Sequence, residues 1–109
     1  MKMRRAGALR HRLILERMNK VEDGGGGVTI VWETVAPLWA AIRPLRGREQ
    51  LGAGQFASRL SHEISLRYRP LVLPEMRFRK GSRIFEIRAV INVDEQSRWL
   101  RALCEELEL

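Results

Sequence analysis

Alternation of apolar and polar side chains is the feature that most constrains the fold of this chain. Leu9, His11, Leu13 and Leu15 fall on one face of an extended segment, and a period of two residues is typical of a half-buried strand. The same alternation returns over residues 61–69, 76–79 and 83–93. Residues 28–42 continue the strand pattern. Residues 99–106 predict a last strand, although helical spacing also fits there.

Turn signals separate these segments. Residues 21–27 carry an acidic pair and four glycines, which predict a flexible hairpin tip or loop. Pro37 predicts an edge, a bulge or a bend within the second strand, with Trp32 and Trp39 as bulky anchors. Turns are expected at residues 70–74, 80–82 and 92–98, and Pro44 should end the second strand. Residues 46–58 interrupt the strand pattern with glycines and predict a short helix or an ordered loop.

Short strands joined by hairpin-like turns are typical of a small antiparallel barrel or sandwich. A chain of 109 residues has room for one core. The sequence therefore predicts a single mainly β domain over residues 1–109. We expect a small antiparallel β-barrel of roughly six strands, with the short helix or ordered loop inserted mid-chain.

Residues able to carry chemistry are scarce. Cys104 is the single cysteine, and we expect it to be a small buried hydrophobe. His11 and His62 fall on apolar strand faces, where a core histidine bonded to the backbone is the simpler interpretation than a catalytic base. The glycine run lacks the spacing and the lysine of a phosphate loop. We therefore predict no enzyme, no cofactor and no metal site. No apolar run is long enough to span a bilayer as a helix, and no membrane contact is expected.

The charge is strongly basic, with a net charge of +7. Arginines alternate with apolar residues in the later strands, at Arg67, Arg69, Arg77, Arg79 and Arg83. They predict either a solvated outer wall or a positive stripe that meets phosphates or an acidic protein surface. Alternation places Tyr68 and Phe85 toward the core, so the aromatic stacking platforms of single-strand binders are scarce.

Several segments, taken in order, resemble the phage head–tail joining family, also called head-closure or stopper proteins. They are MRRAGALRHRL at 3–13, GVTIVWET at 27–34, LWAAIRPLRGRE at 38–49, HEISLRYR at 62–69, MRF at 76–78 and FEIRAVINVDE at 85–95. Together they cover nearly the whole chain. The glycine run is longer than is usual in the family, and Gly52 and Gly54 stand where relatives are more helix-friendly.

This resemblance implies a β-barrel that forms a homo-oligomeric ring between the portal or adaptor ring above and the tail terminator or tail tube below. Such a ring retains packaged double-stranded DNA without sequence-specific contact and docks the tail. The implied location is the head–tail junction of a virion or phage-like particle, including prophage particles and gene transfer agents, after synthesis in the bacterial cytoplasm. A tail terminator of the same junction and a small β-barrel nucleic-acid-binding module remain alternatives.

Two glycine-containing segments are the candidate functional sites. The first is a candidate channel or subunit-interface loop, because glycines suit hinge motion; its residues are Arg46, Gly47, Arg48, Glu49, Gln50, Gly52, Gly54, Gln55 and Phe56. The second is a candidate contact with a neighbouring ring at the hairpin tip, formed by Asp23, Gly24, Gly25, Gly26 and Gly27. The resemblance supplies no catalytic residues.

Overall fold

A computed structural model describes residues 8–46 and 59–107 of the chain. Six antiparallel strands form one sheet that closes into a barrel, in the spatial order β1-β2-β3-β6-β5-β4. The strands are β1 (His11–Glu22), β2 (Val28–Pro44), β3 (His62–Arg67), β4 (Arg77–Lys80), β5 (Arg83–Asn92) and β6 (Trp99–Glu106). A short 3₁₀ turn, Val93–Glu95, follows β5.

The predicted fold class is confirmed, and most strand boundaries lie within two residues of the expected ones. The segment 99–106 is a strand and not a helix. The predicted loop at 21–27 begins too early, because Val21 and Glu22 still pair within β1. The predicted turn at 80–82 is a two-residue turn in which Gly81 takes a φ of +59°. The mid-chain segment lies outside the described residues from residue 47 to residue 58.

The core fills the inside of the barrel with side chains from all six strands. Its most deeply buried members are Leu13, Leu15, Ala40, Ile64, Leu66, Phe78, Phe85, Ile87, Leu100, Ala102 and Cys104. Each large apolar side chain buried in this way contributes about 1.5–3 kcal/mol relative to exposure. The strand alternation thus points its apolar face inward, as predicted for β1, β3 and β5.

β2 contains a bulge, as Pro37 predicted, but the bulge lies two residues before the proline. The pairing with β1 shifts between Leu15 and Glu16, so that Val35 is the extra residue on β2. Pro37 lies where β2 pairs with β1 alone, and its missing N–H breaks no ladder on the side of β3. The expected anchoring role of Trp39 is wrong: its side chain lies on the outer wall and is 53% exposed.

Glu16 departs from the alternation in a way that the sequence does not reveal. It faces outward from β1, yet only 5% of it is exposed. Arg77 Nε donates to Glu16 Oε1 at 2.8 Å, and Arg79 Nε donates to Oε2 at 3.0 Å. The Arg77 guanidinium also lies over the Trp32 ring, 4.0 Å from its centroid. The carboxylate therefore ties β1 to β4 where the two strands close the barrel.

Burial by itself would raise the pKa of Glu16, but the hydrogen bonds from Arg77 and Arg79 outweigh it and hold this pKa below its ordinary value of 4.5. A group whose pKa is lowered by folding stabilises the folded state above its unfolded pKa. That contribution disappears as the pH falls through the folded pKa. The Glu16 cluster is therefore an acid-sensitive clamp on the barrel.

We expect Glu16→Gln to lower the free energy of unfolding by about 1.5–3 kcal/mol near neutral pH, because it removes charge-assisted hydrogen bonds from two guanidinium groups. The difference from the natural chain should shrink as the pH falls below 4.5. Urea denaturation at neutral and at acid pH measures both effects. Glu95→Gln, at an exposed carboxylate, is the control and should change stability by less than about 0.5 kcal/mol. Equal losses in the two variants would contradict the clamp.

Candidate functional site

A two-stranded arm projects from the barrel. The arm consists of residues 17–34 of the β1–β2 hairpin, which pair with no other described strand, since β4 pairs with β1 only up to Glu16 and β3 pairs with β2 only from Ala40. Six residues of extended chain carry its tip about 20 Å beyond the barrel. The longest dimension of the molecule is accordingly 51 Å, against 29 and 26 Å for the other two.

Exposed apolar side chains cover both faces of the arm. Met18, Val28 and Ile30 lie on one face, and Val21 and Val31 lie on the other. Ile30 is 52% exposed, which is unusual for a β-branched side chain in a strand. A cluster of exposed apolar residues of this kind marks an interaction surface. The sequence carried a signal for it, because apolar residues at 30, 31 and 32 break the alternation.

The predicted tip, Asp23 to Gly27, is an ordered turn. Asp23 Oδ1 accepts hydrogen bonds from the N–H groups of Gly25, at 2.8 Å, and Gly27, at 3.0 Å. The N–H of Asp23 donates to the Gly27 carbonyl at 3.1 Å. Gly24 and Gly26 both take a φ of +84° with open space where a side chain would point. The tip is thus a shaped, solvent-facing end of the arm. Its role as a contact stays a prediction.

The other predicted segment leaves the barrel at the opposite end of β2. Arg46 is exposed just past Pro44, and residues 47–58 lie outside the described residues. The flanks on either side are held together: Leu45 N–H donates to the Ser61 carbonyl at 2.8 Å, and Ser61 N–H donates to the Cys104 carbonyl at 2.9 Å. The structure therefore places the two flanks of this segment, Leu45 and Ser61, side by side, away from the arm.

Most of the predicted arginine stripe is paired with carboxylates. Arg77 and Arg79 share Glu16, and Arg83 makes a bidentate pair with Glu106 at 2.7 and 3.0 Å. This pairing holds the pKa of Glu106 below its ordinary value, chiefly through the hydrogen bond from Arg83. On the outer surface of the barrel, these arginines therefore form ion pairs rather than a continuous positive stripe.

Arg67 and Arg69 lie in a different setting, a shallow groove of about 290 Å³ beside Trp39 and Tyr68. The prediction that Tyr68 points to the core is wrong: β3 ends at Arg67, so alternation no longer governs the next side chain, which is 41% exposed. Arg69 Nε is buried without a hydrogen-bond partner among the described residues. The groove opens where β3 separates from β2.

The two histidines lie against other polar or titratable side chains. His11 Nδ1 lies 2.7 Å from Lys80 Nζ, and its pKa is lowered by partial burial and then by Lys80 and neighbouring arginines. His62 contacts Ser61 Oγ and makes a T-shaped contact with the Phe85 ring, and burial lowers its pKa against the opposing effect of Glu106. Both histidines bond side chains rather than the expected backbone groups.

Cys104 is fully buried, as predicted, and burial raises the pKa of its thiol. No cluster of three metal-ligating side chains occurs within residues 8–46 and 59–107. In the same residues, no helix is long and apolar enough to cross a membrane. The features that stand out are therefore surfaces: the arm, its tip, the groove and the two flanks of the mid-chain segment.

Comparisons with known proteins give a family and two structures. Residues 4–107 match the family described as phage head completion protein. A chain in the virion of a native gene transfer agent particle is 29% identical, with a TM-score of 0.61, and the match covers 91% of this chain and 96% of that one. Protein SF1141 from Shigella flexneri 2a shares the fold, with a TM-score of 0.75, 23% identity and coverage of 93% and 95%. No curated protein matches the chain.

We expect Gly24→Ala to open the tip locally, because an alanine in the left-handed region costs about 1–2 kcal/mol. Amide hydrogen exchange should become about tenfold faster at Asp23 and Gly27 while the barrel stays protected. Gly25→Ala is the matched control. Its φ is not positive, and an added Cβ would lie 3.6 Å from Asp23 Oδ1, an ordinary contact. Equal effects of the two variants would show that the turn geometry does not hold the tip.

Proposed function

Because this chain belongs to the phage head completion protein family, we propose that it is a stopper, a structural head–tail connector that forms a ring between the portal or adaptor and the tail. In that position it retains packaged DNA and docks the tail. The observation that carries the proposal is the family match over residues 4–107, which spans every strand of the barrel.

A structural role at the head–tail junction of a virion or phage-like particle follows from the family. The 29% identical chain of the gene transfer agent virion supports the same assignment, since it is matched over 96% of its length. The architecture is compatible with it, because an ion-paired barrel wall is rigid and the exposed apolar arm is suited to protein contact. The proposal assigns the chain no catalytic step and no cofactor.

The two candidate segments receive separate roles in this proposal. The segment at 46–58 faces the channel or the next subunit, and its glycines provide the freedom to close and open the channel. The tip at 23–27 contacts a neighbouring ring. Their positions support this division of work, because they lie at opposite ends of β2.

A nucleic-acid-binding module is the weaker candidate. Its main support was the arginine stripe, and Arg77, Arg79 and Arg83 are engaged by Glu16 and Glu106. A tail terminator would occupy the same junction, on the tail side. The position of the chain within a particle distinguishes these functions directly.

We expect cryo-electron microscopy of particles from the source organism to show a ring of this chain between the adaptor and the tail. The segment at 46–58 should line the channel or the contact between subunits, and the tip at 23–27 should meet the adjacent ring. Density for the chain in the ring that caps the head-proximal end of the tail would identify a terminator instead. Its absence from particles, together with a complex on DNA, would overturn the connector role.

Deleting Gly52 to Gly54 should cause filled heads to lose DNA, because the shortened segment no longer reaches across the channel. DNA retained after nuclease treatment of purified particles measures the effect. The double variant Gly52→Ala, Gly54→Ala keeps the length of the segment and should retain DNA but eject it more slowly, since alanine restricts backbone motion. Normal retention by a deletion variant that is incorporated into particles would rule out a gating role.

A further inference from the structure

Both long edges of the arm lack a partner strand among the described residues. β1 has an open edge over residues 17–22, beyond the last pair with β4, and β2 has one over residues 28–39, before the first pair with β3. Each open edge presents backbone N–H and C=O groups that another strand can pair with. An isolated two-stranded ribbon is only marginally stable in water. Within the described part of the chain, the arm therefore lacks backbone hydrogen-bond partners along its outer edges and also lacks the contacts that would stabilise it.

The pairable stretch of β2 is limited by its own irregularities. The bulge at Val35 and the proline at residue 37 interrupt regular pairing. Before them, residues 28–34 form a regular edge with the sequence VTIVWET, which contains no lysine or proline. Protein edges that are not used for pairing are usually blunted by such residues. This edge is seven residues long, and the open edge on β1 is six residues long, so the two edges nearly match in length.

The two edges are complementary within a ring of identical copies. If all arms point the same way, β1 runs toward the tip and β2 runs away from it, so β2 of one copy lies antiparallel to β1 of the next. This is the arrangement already found inside the hairpin. A contact between two different edges is heterologous, and heterologous contacts close into rings when the rotation allows.

The register that symmetry favours also matches charges. Arg17 is opposite Glu33 within the hairpin, and the Glu33 carboxylate accepts from Arg17 Nε at 3.2 Å and from Asn19 Nδ2 at 2.6 Å. At equal height, Arg17 of the next copy would again meet Glu33 on the open side. Opposite charges directly across a strand pair are favourable.

From these observations we propose that the open β2 edge of the arm, residues 28–34, pairs with the open β1 edge, residues 17–22, of a second copy of this chain. The pairing joins neighbouring arms into a continuous intermolecular sheet. It rests on the proposed ring, and it leaves the tip free to contact an adjacent ring. The exposed apolar side chains on both faces of the arm then become part of a larger sheet.

Disulfide cross-linking between two chains that each carry one introduced cysteine tests the pairing. Lys20 and Ile30 are cross-strand partners within the hairpin, so the proposed register also brings Lys20 of one copy close to Ile30 of the next. A mixture of Lys20→Cys and Ile30→Cys chains should give a covalent dimer under mild oxidation. Cys104 is fully buried and its thiol pKa is raised, so it should not compete.

The covalent dimer is measured both in particles assembled from the mixture and in the purified chains at high concentration. Ser82→Cys mixed with Lys20→Cys is the control, because Ser82 lies in an exposed turn off the arm and should give little dimer. A dominant dimer from Ile30→Cys alone would mean that identical edges meet, which overturns the proposed pairing. Particles that hold the chain at the junction without any cross-link would overturn the pairing and leave the connector role intact.

An edge-blocking substitution provides a second measurement. Ile30→Lys places a charge on the open edge and should abolish ring assembly without lowering the stability of the monomer. Ile91→Lys makes the same change at another exposed isoleucine, on β5, and should assemble normally. Normal assembly of the Ile30→Lys chain would overturn the pairing.

Discussion

Closure of the barrel depends on its shortest seam, the three residue pairs that join β1 to β4. Leu15 and Phe78 meet at the centre of this seam with both side chains fully buried. Glu16 reinforces the seam from outside by binding two arginines of β4. Without the seam, β1 and β4 would expose their edges and the core between them would open to water. The buried Leu15–Phe78 pair and the Glu16 ion pairs therefore hold the barrel closed across only three residue pairs.

The same seam decides where the barrel ends and the arm begins. β4 has only four residues, and β3 meets β2 over five pairs, so neither can follow the long strands β1 and β2 to their ends. The excess length becomes a ribbon supported on neither edge. Arg77, which binds Glu16 and stacks on Trp32, anchors the base of that ribbon to the barrel. The closed barrel and the arm with open edges therefore both follow from the difference in length between β1 and β2 on one side and β3 and β4 on the other.

Local pattern predicted the faces of strands but not their partners. Alternation placed the inner side chains of β1, β3 and β5 correctly, and the strand β6 was found despite its helical spacing. Alternation failed at Tyr68, because the strand ends one residue earlier. The bulk of Trp39 suggested an anchor, but its side chain is largely exposed. Glu16 shows the deeper limit. Its partner Arg77 lies 61 residues away, and no local signal can report a charge supplied by a distant strand.

The glycines of the sequence suggested both candidate segments, and the structure describes the geometry of one; the roles of both stay predictions. The arm that carries the tip was not predicted as a unit, because its exposure depends on where neighbouring strands stop. An edge of seven pairable residues is short, so one contact between two copies is weak. In the proposed ring each copy is held on both sides, and binding to a preceding ring raises the effective concentration of its neighbours. Short edges therefore favour assembly on the particle over association in free solution.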